Sequence, residues 1–338
     1  MELTIAQAIL ATLFASFLFA FWYQSLNHLG EFPLAGFIFW LYVGSYITVW
    51  VAVLLLGKTD LPNGILFELD GKIGMALIVI GGGICMTSGL IMSLVHMKAN
   101  GMIANQAIAG SIGSILNLVV TFVVGGLTPG LSLPLVILAA VIILIASFVI
   151  QHSTILKYRE QGIDITSRDV DDDEDKPDSV IKQNLMLLIS NVLTIGYSLA
   201  YMLGTRSVNN PEGFHPLLAT LLLATGSLIA AVSYSFVSLS RSRQLRMIFS
   251  PKYIKQISMG LGAGLCHYGG TVLQIYSLPV LSAPVSALLV RTSSVWTFIW
   301  GIVYGEYKGA KRKVKQWLFW GILLYIVGTV FLTWIVNN

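Results

Sequence analysis

The chain has 338 residues, of which 56% are hydrophobic and 11% are charged, whereas a soluble domain carries about a quarter charged residues. So much apolar surface excludes a soluble globular fold and indicates an integral membrane protein. The net charge of +4 does not indicate nucleic-acid binding, because the basic residues cluster in short loops beside apolar stretches.

The apolar stretches predict membrane-spanning helices. A helix needs about 20 apolar residues to cross the hydrocarbon core, and only helices or closed barrels satisfy their backbone hydrogen bonds in lipid. The first stretch continues to about Tyr23 with no Lys or Arg before Gln7, so we expect a span rather than a cleavable signal. The ten predicted spans, in chain order, are 4–24, 34–56, 73–96, 102–124, 132–152, 184–204, 215–239, 256–277, 281–304 and 315–336.

A hydrophilic segment, 153–183, separates the first five predicted spans from the last five. It contains the acidic run 171–175, which we interpret as part of a solvated linker. The sequence therefore predicts an all-α integral membrane protein with ten transmembrane helices. Its two five-helix units are 1–152 and 184–338.

Loop charge predicts the orientation in the membrane. On one side the loops carry only Lys58, Lys72 and Arg206. The positive-inside rule places the more basic side in the cytoplasm. We therefore expect a multi-pass protein of the plasma membrane with both termini outside and 153–183 inside. The basic residues of the cytoplasmic side are Lys98, Lys157, Arg159, Arg168, Lys176, Lys182, Arg241, Arg243, Arg246, Lys252, Lys255, Lys308, Lys311, Arg312, Lys313 and Lys315.

The two halves share a short motif. Because each half has an odd number of spans, the copies must insert in opposite orientations, an architecture typical of secondary transporters. We interpret the glycines of the motif as sites of close helix packing and the cysteines as small packing residues, since their spacing fits neither a disulfide framework nor a zinc site. A shift of 181 residues superposes Gly81, Gly83, Cys85 and Gly89 on Gly262, Gly264, Cys266 and Gly270.

The end of the ninth span carries a family resemblance. It reads Ser293–Ser294–Val295, then Gly301 and Tyr304–Gly305–Glu306. With the Gly-rich third and eighth spans and the two five-helix halves, this ending resembles the drug/metabolite transporter superfamily, whose penultimate helix is similar in ending with Gly-Glu. The outside termini and long central segment are more similar to its sugar-uptake (glucose/rhamnose) and ureide-permease branches than to its exporters. The G-x-x-x-x-G-K-[ST] motif of the ureide permeases is absent from the central segment. The resemblance implies secondary transport of a small organic solute.

Arg291 is the strongest candidate for a binding residue. It lies within the ninth span, where an arginine costs at least about 2.5–3.5 kcal/mol unless it faces a cavity or a partner. Its guanidinium suits a carboxylate, a phosphate or polar oxygens. The alternative is that Arg291 lies near the interface or caps carbonyls beside a helix break at Pro284.

The eighth span adds His267, Tyr268 and Gln274. Seven residues separate His267 from Gln274, so the two share a helix face with Gly270 and Thr271. Such a face suits the wall of a hydrophilic cavity, and a histidine can carry a coupling proton. Hydrogen bonding to neighbouring helices is the alternative interpretation.

Further candidates lie in the fourth and sixth spans. Asn105 and Gln106 begin the fourth span, and amides suit solutes that carry hydroxyl or amide groups. Tyr197 of the sixth span is a candidate for stacking on a sugar or planar base. For the aromatic residues as a group, we favour the core and the interfacial belt.

The sequence thus predicts a transporter or facilitator that moves a small polar organic solute by alternating access. Sugars or polyols are the first expectation, and ureides or nucleobases the second. Export of drugs or metabolites and a non-transporting scaffold are the alternatives. No nucleophile triad, metal cluster or phosphate-binding loop indicates an enzyme. We expect no cofactor, possible coupling to H+ or Na+, no nucleic-acid partner, and a monomer or homodimer in the bilayer.

Overall fold

Long apolar helices form the chain in a computed structural model, which describes residues 3–100, 116–117, 119–127, 130–160, 178–207, 210–303 and 307–337. Outside the helices, the described residues contain only short turn elements and isolated bridges. The helices are α1 Ile5–Trp22, α2 Leu34–Asp60, α3 Ile65–Leu69, α4 Ile73–Asn100, α5 Leu133–Glu160, α6 Asp178–Gly204, α7 Pro216–Arg241, α8 Ile254–Ser277, α9 Ala283–Val290, α10 Ser293–Val303 and α11 Arg312–Asn337.

Six helices in the described part of the chain are long and apolar enough to cross a membrane. Large apolar side chains cover their outer surfaces; Leu54 and Leu55, for example, are each 74% exposed. A soluble monomer rarely exposes so much contiguous apolar surface. The fold is therefore that of an all-α membrane protein. The six spans are Ile5–Leu26, Leu34–Asp60, Ile73–Val95, Leu133–Lys157, Pro216–Arg241 and Arg312–Val336.

The central segment is shorter than the sequence predicts. Helix α5 continues to Glu160 and α6 begins at Asp178, so both helices extend into the predicted 153–183 linker. The acidic run 171–175 lies outside the described residues. So does most of the predicted fourth span, whose described end includes a wide helical turn at Thr121–Gly125.

The helices pack in two sets that resemble each other. Helix α8 packs on α1 and α2, while α4 packs on α6 and α7. Helix α2 also packs on α7, and α5 packs on α11. Each of these contacts joins a helix before the central segment to one after it. The halves of the sequence are therefore interleaved.

Two close helix crossings hold this arrangement together. At the α2–α8 crossing, a Cβ added to Gly264 would lie 2.5 Å from the backbone nitrogen of Ser45. At the α4–α7 crossing, a Cβ added to Gly83 would lie 2.9 Å from the backbone nitrogen of Ser227. Such distances leave no room for a side chain. The packing prediction is thus confirmed at both glycines. It is wrong at Gly81 and Gly262, where an added Cβ would meet no described atom within 4 Å.

Matching hydrogen bonds tie the same crossings. The Ser45 hydroxyl donates to the Gly264 carbonyl at 3.3 Å, and the Ser227 hydroxyl donates to the Gly83 carbonyl at 3.1 Å. Small hydroxyl side chains stabilise membrane helix pairs in this way. Each serine follows a glycine, Gly44 or Gly226, that also faces the partner backbone. At each crossing, therefore, a Gly-Ser pair on one helix packs against a glycine on the other.

Charged contacts lie at the two opposite ends of the helices. At the end where α2 finishes, Arg206 pairs with Glu68 at 3.3 Å, and Lys72 donates to the Glu212 carbonyl at 2.9 Å. At the end where α2 begins, Lys252 pairs with Glu31 at 3.3 Å. The apolar helices thus connect two polar faces.

Candidate functional site

The ninth predicted span is interrupted at Arg291. Helix α9 ends at Val290 and α10 begins at Ser293. Between them the amide of Arg291 donates to the Leu288 carbonyl at 3.2 Å, three residues back rather than four. Pro284 lies in the first turn of α9, where a proline is well tolerated. The helical path is therefore broken just before Pro284, between Ser277 and Ala283, and a second break, which the sequence did not predict, lies at Arg291.

The side chain of Thr292 explains the position of the break. Its hydroxyl lies 2.7 Å from the Leu289 carbonyl oxygen and 2.6 Å from the hydroxyl oxygen of Ser16 on α1. A hydroxyl that bonds a carbonyl of its own helix competes with the backbone ladder and bends the helix. The contact with Ser16 fixes the bend against another helix.

Arg291 lies at this break, where α9 and α10 pack on α1. The electrostatic neighbours of its guanidinium include the hydroxyls of Tyr201 on α6 and Tyr325 on α11. Both tyrosines are buried. Since a helix rises 1.5 Å per residue, Arg291 lies about 12 Å from the start of α9 at Ala283. Arg291 is thus half-buried, well inside the span, and near the hydroxyls of two buried tyrosines.

His267 is enclosed by aromatic rings. Its ring centroid lies 5.4 Å from that of Trp22, 5.8 Å from Tyr42 and 5.3 Å from Tyr268, and Phe19 closes the fourth side at 6.2 Å. The side chain is buried, and neither ring nitrogen has a hydrogen-bond partner among the described residues. The expected alternative, hydrogen bonding to a neighbouring helix, is therefore not observed for His267.

The helix face that carries His267 packs closely against α1. A Cβ added to Gly270 would lie 2.9 Å from the ring of Phe19 and 3.2 Å from the Ala15 carbonyl oxygen. The Thr271 hydroxyl donates to the His267 carbonyl at 3.0 Å. At Gly270 this face is therefore a helix contact rather than the wall of a cavity. Gln274, one turn further, is also buried.

Aromatic side chains connect His267 with the surroundings of Arg291. The Tyr268 hydroxyl, 2.6 Å from the Ser227 hydroxyl, is an electrostatic neighbour of Tyr197. The ring of Tyr197 lies 5.0 Å from that of Tyr201, which in turn neighbours Arg291. The predicted residues His267, Tyr268, Tyr197 and Arg291 thus lie in the same region of the bundle. Asn105 and Gln106 lie outside the described residues.

A cavity of about 190 Å³ adjoins this region. Tyr201 lines it, as do Thr205 and Asn210 after α6, Gly125 near the end of the fourth span, and Ser282 before α9. The cavity is smaller than the roughly 300–1,000 Å³ of drug-sized ligand pockets. It lies at the membrane face where α2, α6 and α8 end.

Two of the residues around the cavity each have a fully buried hydroxyl with no hydrogen-bond partner among the described residues. They are Thr205 and Ser282, and Ser286, one turn along α9, has a third such hydroxyl. All three side chains are buried. A buried hydroxyl without a partner costs about 1–3 kcal/mol, so three of them together indicate a role besides packing.

These residues were absent from the sequence-based predictions, and so was Asp60. Asp60 ends α2, where its buried carboxylate accepts a hydrogen bond of 2.6 Å from the Tyr276 hydroxyl on α8. The pairing of this acid with a tyrosine more than 200 residues away leaves no sequence signal. The Ser-Ala-Pro at the start of α9 is an available signal for Ser282, since a serine N-cap with a proline in the first turn is typical of a helix start.

Comparisons with known proteins show a shared fold without a shared sequence family. No protein-family model matches the chain, and no curated protein matches it. A solved structure described as "Crystal structure of protein" superposes with a TM-score of 0.63 and 15% sequence identity, over 99% of this chain and 100% of that chain. The likeness extends over both chains and concerns the fold alone.

Proposed function

We infer that the chain is a membrane transporter that moves a small polar organic solute by alternating access. The observation that carries this proposal is the interruption of an apolar helix at Arg291, near Tyr201, whose side chain lines a cavity. Transporters bind their substrates at discontinuous helices near the middle of the membrane. An interior arginine of this kind is by default a functional residue.

The matched helix crossings support two inverted five-helix halves, 1–152 and 184–338. The pair Gly44–Ser45 meets Gly264 as the pair Gly226–Ser227 meets Gly83. Helix α2 of the first half corresponds to α7 of the second, and α4 corresponds to α8. Replacing each helix by its equivalent turns one crossing into the other, as an inverted repeat requires. A non-transporting scaffold needs neither a repeat nor an arginine at a helix break, so transport is the better account.

The resemblance to the drug/metabolite transporter superfamily favours the same proposal. Within it, a sugar or polyol is our first candidate for the solute, and a ureide or nucleobase is the second. Both classes present several hydrogen-bonding groups, which suit the guanidinium of Arg291 and the neighbouring tyrosine hydroxyls. The proposed location is the plasma membrane, with both termini outside and possible coupling to H+ or Na+.

Uptake into proteoliposomes tests the proposal. Purified protein is reconstituted, and the entry of radiolabelled xylitol, D-glucose, allantoin and uracil is measured with and without imposed H+ and Na+ gradients. We expect at least one solute to enter faster than into protein-free vesicles. If none enters under any gradient, the transporter proposal is wrong.

The role of Arg291 is tested with the solute that enters. Loss of a hydrogen bond to a charged group costs about 1.5–3 kcal/mol, so Arg291→Gln should lower uptake by about tenfold to a hundredfold. Arg291→Lys retains the positive charge but lacks the planar set of N–H donors of a guanidinium, so this variant should retain partial uptake. Arg206→Gln removes an arginine from a surface ion pair and serves as the control. Normal uptake by Arg291→Gln would contradict the role.

A further inference from the structure

The connection between α7 and α8, with the adjoining helix ends, presents exposed positive charge. We call its five cations the basic patch; they are Arg241, Arg243, Arg246, Lys252 and Lys255, and all of them are exposed. One of the five, Lys252, pairs with Glu31 at 3.3 Å. The other four form no ion pair within the described part of the chain. The basic patch therefore has more positive charge than the described residues around it neutralise.

Buried contacts hold the backbone that carries these cations against the region where α2 begins. The indole N–H of Trp40 donates to the Ile248 carbonyl at 2.8 Å. Ile248 is fully buried, and a Cβ added to Gly36 would lie 2.9 Å from its side chain. Tyr253 is also buried, with its ring 5.3 Å from that of Phe32. The connection is thus an ordered part of the fold, and the basic patch has a fixed place on it.

Exposed apolar side chains lie among the cations of the same connection. Phe249 is 61% exposed and Ile254 is 63% exposed. The ring of Phe249 lies 6.1 Å from that of Phe39 and 6.0 Å from that of Trp40. Phe236 of α7 extends this aromatic group, 6.2 Å from Phe39. Aromatic groups of this kind are typical of the membrane–water interface, so the basic patch lies at the level of the lipid headgroups.

Charge and apolar surface together select the class of ligand. Three of the five cations are arginines, whose guanidinium groups form paired hydrogen bonds with phosphate oxygens. A soluble anion leaves Phe249 and Ile254 exposed, whereas the acyl chains of a lipid bury such side chains. Anionic lipids are concentrated in the cytoplasmic leaflet, which is the leaflet that the positive-inside rule assigns to this end of the protein.

We propose that the basic patch binds the headgroup of an anionic phospholipid, with the acyl chains of the lipid against Phe249 and Ile254. The lipid supplies the negative charge that the described residues around the patch lack. It attaches the connection between α7 and α8 to the membrane and stabilises the folded protein. The site is independent of the transported solute and of transport itself.

Thermal unfolding of the full-length protein in dodecyl maltoside tests the site. Phosphatidylglycerol is added at increasing mole fraction, and phosphatidylcholine with the same acyl chains is the zwitterionic comparison. Bound ligand stabilises the folded state by mass action, so phosphatidylglycerol should raise the Tm and phosphatidylcholine should not. Glycerol phosphate, which has no acyl chains, should have no effect. An increase in NaCl from about 0.05 M to about 0.5 M should weaken the response, because salt screens exposed charges.

Substitutions locate the binding site on the protein. Arg246→Gln and Lys255→Gln remove exposed cations that have no described ion pair, so the Tm without lipid should be unchanged. A cation near an anionic membrane surface contributes about fivefold to affinity. Each variant should therefore need about five times more phosphatidylglycerol for the same rise in Tm, and the double variant about 25 times more. Lys58→Gln removes an equal charge from the opposite end and should leave the response unchanged.

Three results would overturn the proposal. The first is an equal rise in Tm with phosphatidylcholine, and the second is an equal loss of response in Lys58→Gln and Arg246→Gln. The third is a rise in Tm with glycerol phosphate or with a hexaglutamate peptide that matches the rise with phosphatidylglycerol. A matching effect of the peptide would identify the basic patch as a surface for an acidic protein segment instead. None of these results bears on the transporter proposal, because uptake into vesicles is measured separately.

Discussion

Two glycines on one helix provide a sharp test of the packing described above. Gly264 and Gly262 are two residues apart on α8. A Cβ at Gly264 would meet the backbone of α2, with the Ser45 nitrogen at 2.5 Å, whereas a Cβ at Gly262 has no described atom within 4 Å. We therefore expect Gly264→Ala to destabilise the protein and Gly262→Ala to leave it stable.

The magnitude follows from two opposing terms. Overpacking costs about 1–3 kcal/mol and occasionally more, and backbone atoms cannot rotate away as a flexible side chain does. Alanine is favoured over glycine in a helix by about 1 kcal/mol, and this gain is common to both variants. The free energies of unfolding of the two variants should thus differ by the overpacking cost alone, about 1–3 kcal/mol.

Thermal unfolding in detergent measures this difference. Gly264→Ala should unfold several degrees below Gly262→Ala. The first half supplies an independent pair, because Gly83 meets the Ser227 nitrogen at 2.9 Å and Gly81 has no described neighbour within 4 Å. Gly83→Ala should therefore resemble Gly264→Ala, and Gly81→Ala should resemble Gly262→Ala. Equal melting temperatures within either pair would refute the close crossings.

Two further predictions concern the membrane face near Asp60. Burial lowers the pKa of His215, at the N-cap of α7, below its ordinary 6.5. Because the folded protein binds this proton less readily than the unfolded chain does, the Tm of the protein should fall as the pH decreases below about 6.5. His215→Asn, which retains an acceptor for the Leu217 amide, should weaken that dependence, and an unchanged pH profile would contradict the assignment. Tyr276→Phe removes the donor to the buried Asp60 carboxylate and should cost about 1.5–3 kcal/mol of stability. A Tm equal to wild type would show that this bond contributes little.

The sequence predicted the all-α membrane fold because composition and the length of apolar stretches are local properties. Helices α2, α4, α7 and α8 begin within a few residues of their predicted spans. The shift that superposes Gly83 on Gly264 also identified two glycines with equivalent packing. The inverted repeat itself remains a prediction.

The details of the site depend on contacts between distant residues. The break before Pro284 has a proline signal in the sequence, whereas the break at Arg291 was not predicted, because the contact between Thr292 and Ser16 leaves no such signal. Likewise, Ser282 resembles an ordinary helix cap until its hydroxyl is found without a partner. Single residues at a helix end are therefore where sequence-based reasoning was weakest.

Counterflow tests the central claim, alternating access by a carrier, most directly. Proteoliposomes are loaded with a high concentration of unlabelled xylitol, diluted, and given a trace of labelled xylitol outside; D-glucose, allantoin and uracil follow in the same format. A carrier exchanges solute one for one, so the account predicts a transient accumulation of label above its equilibrium level. Label that equilibrates no faster than in protein-free vesicles, for every solute, would contradict it.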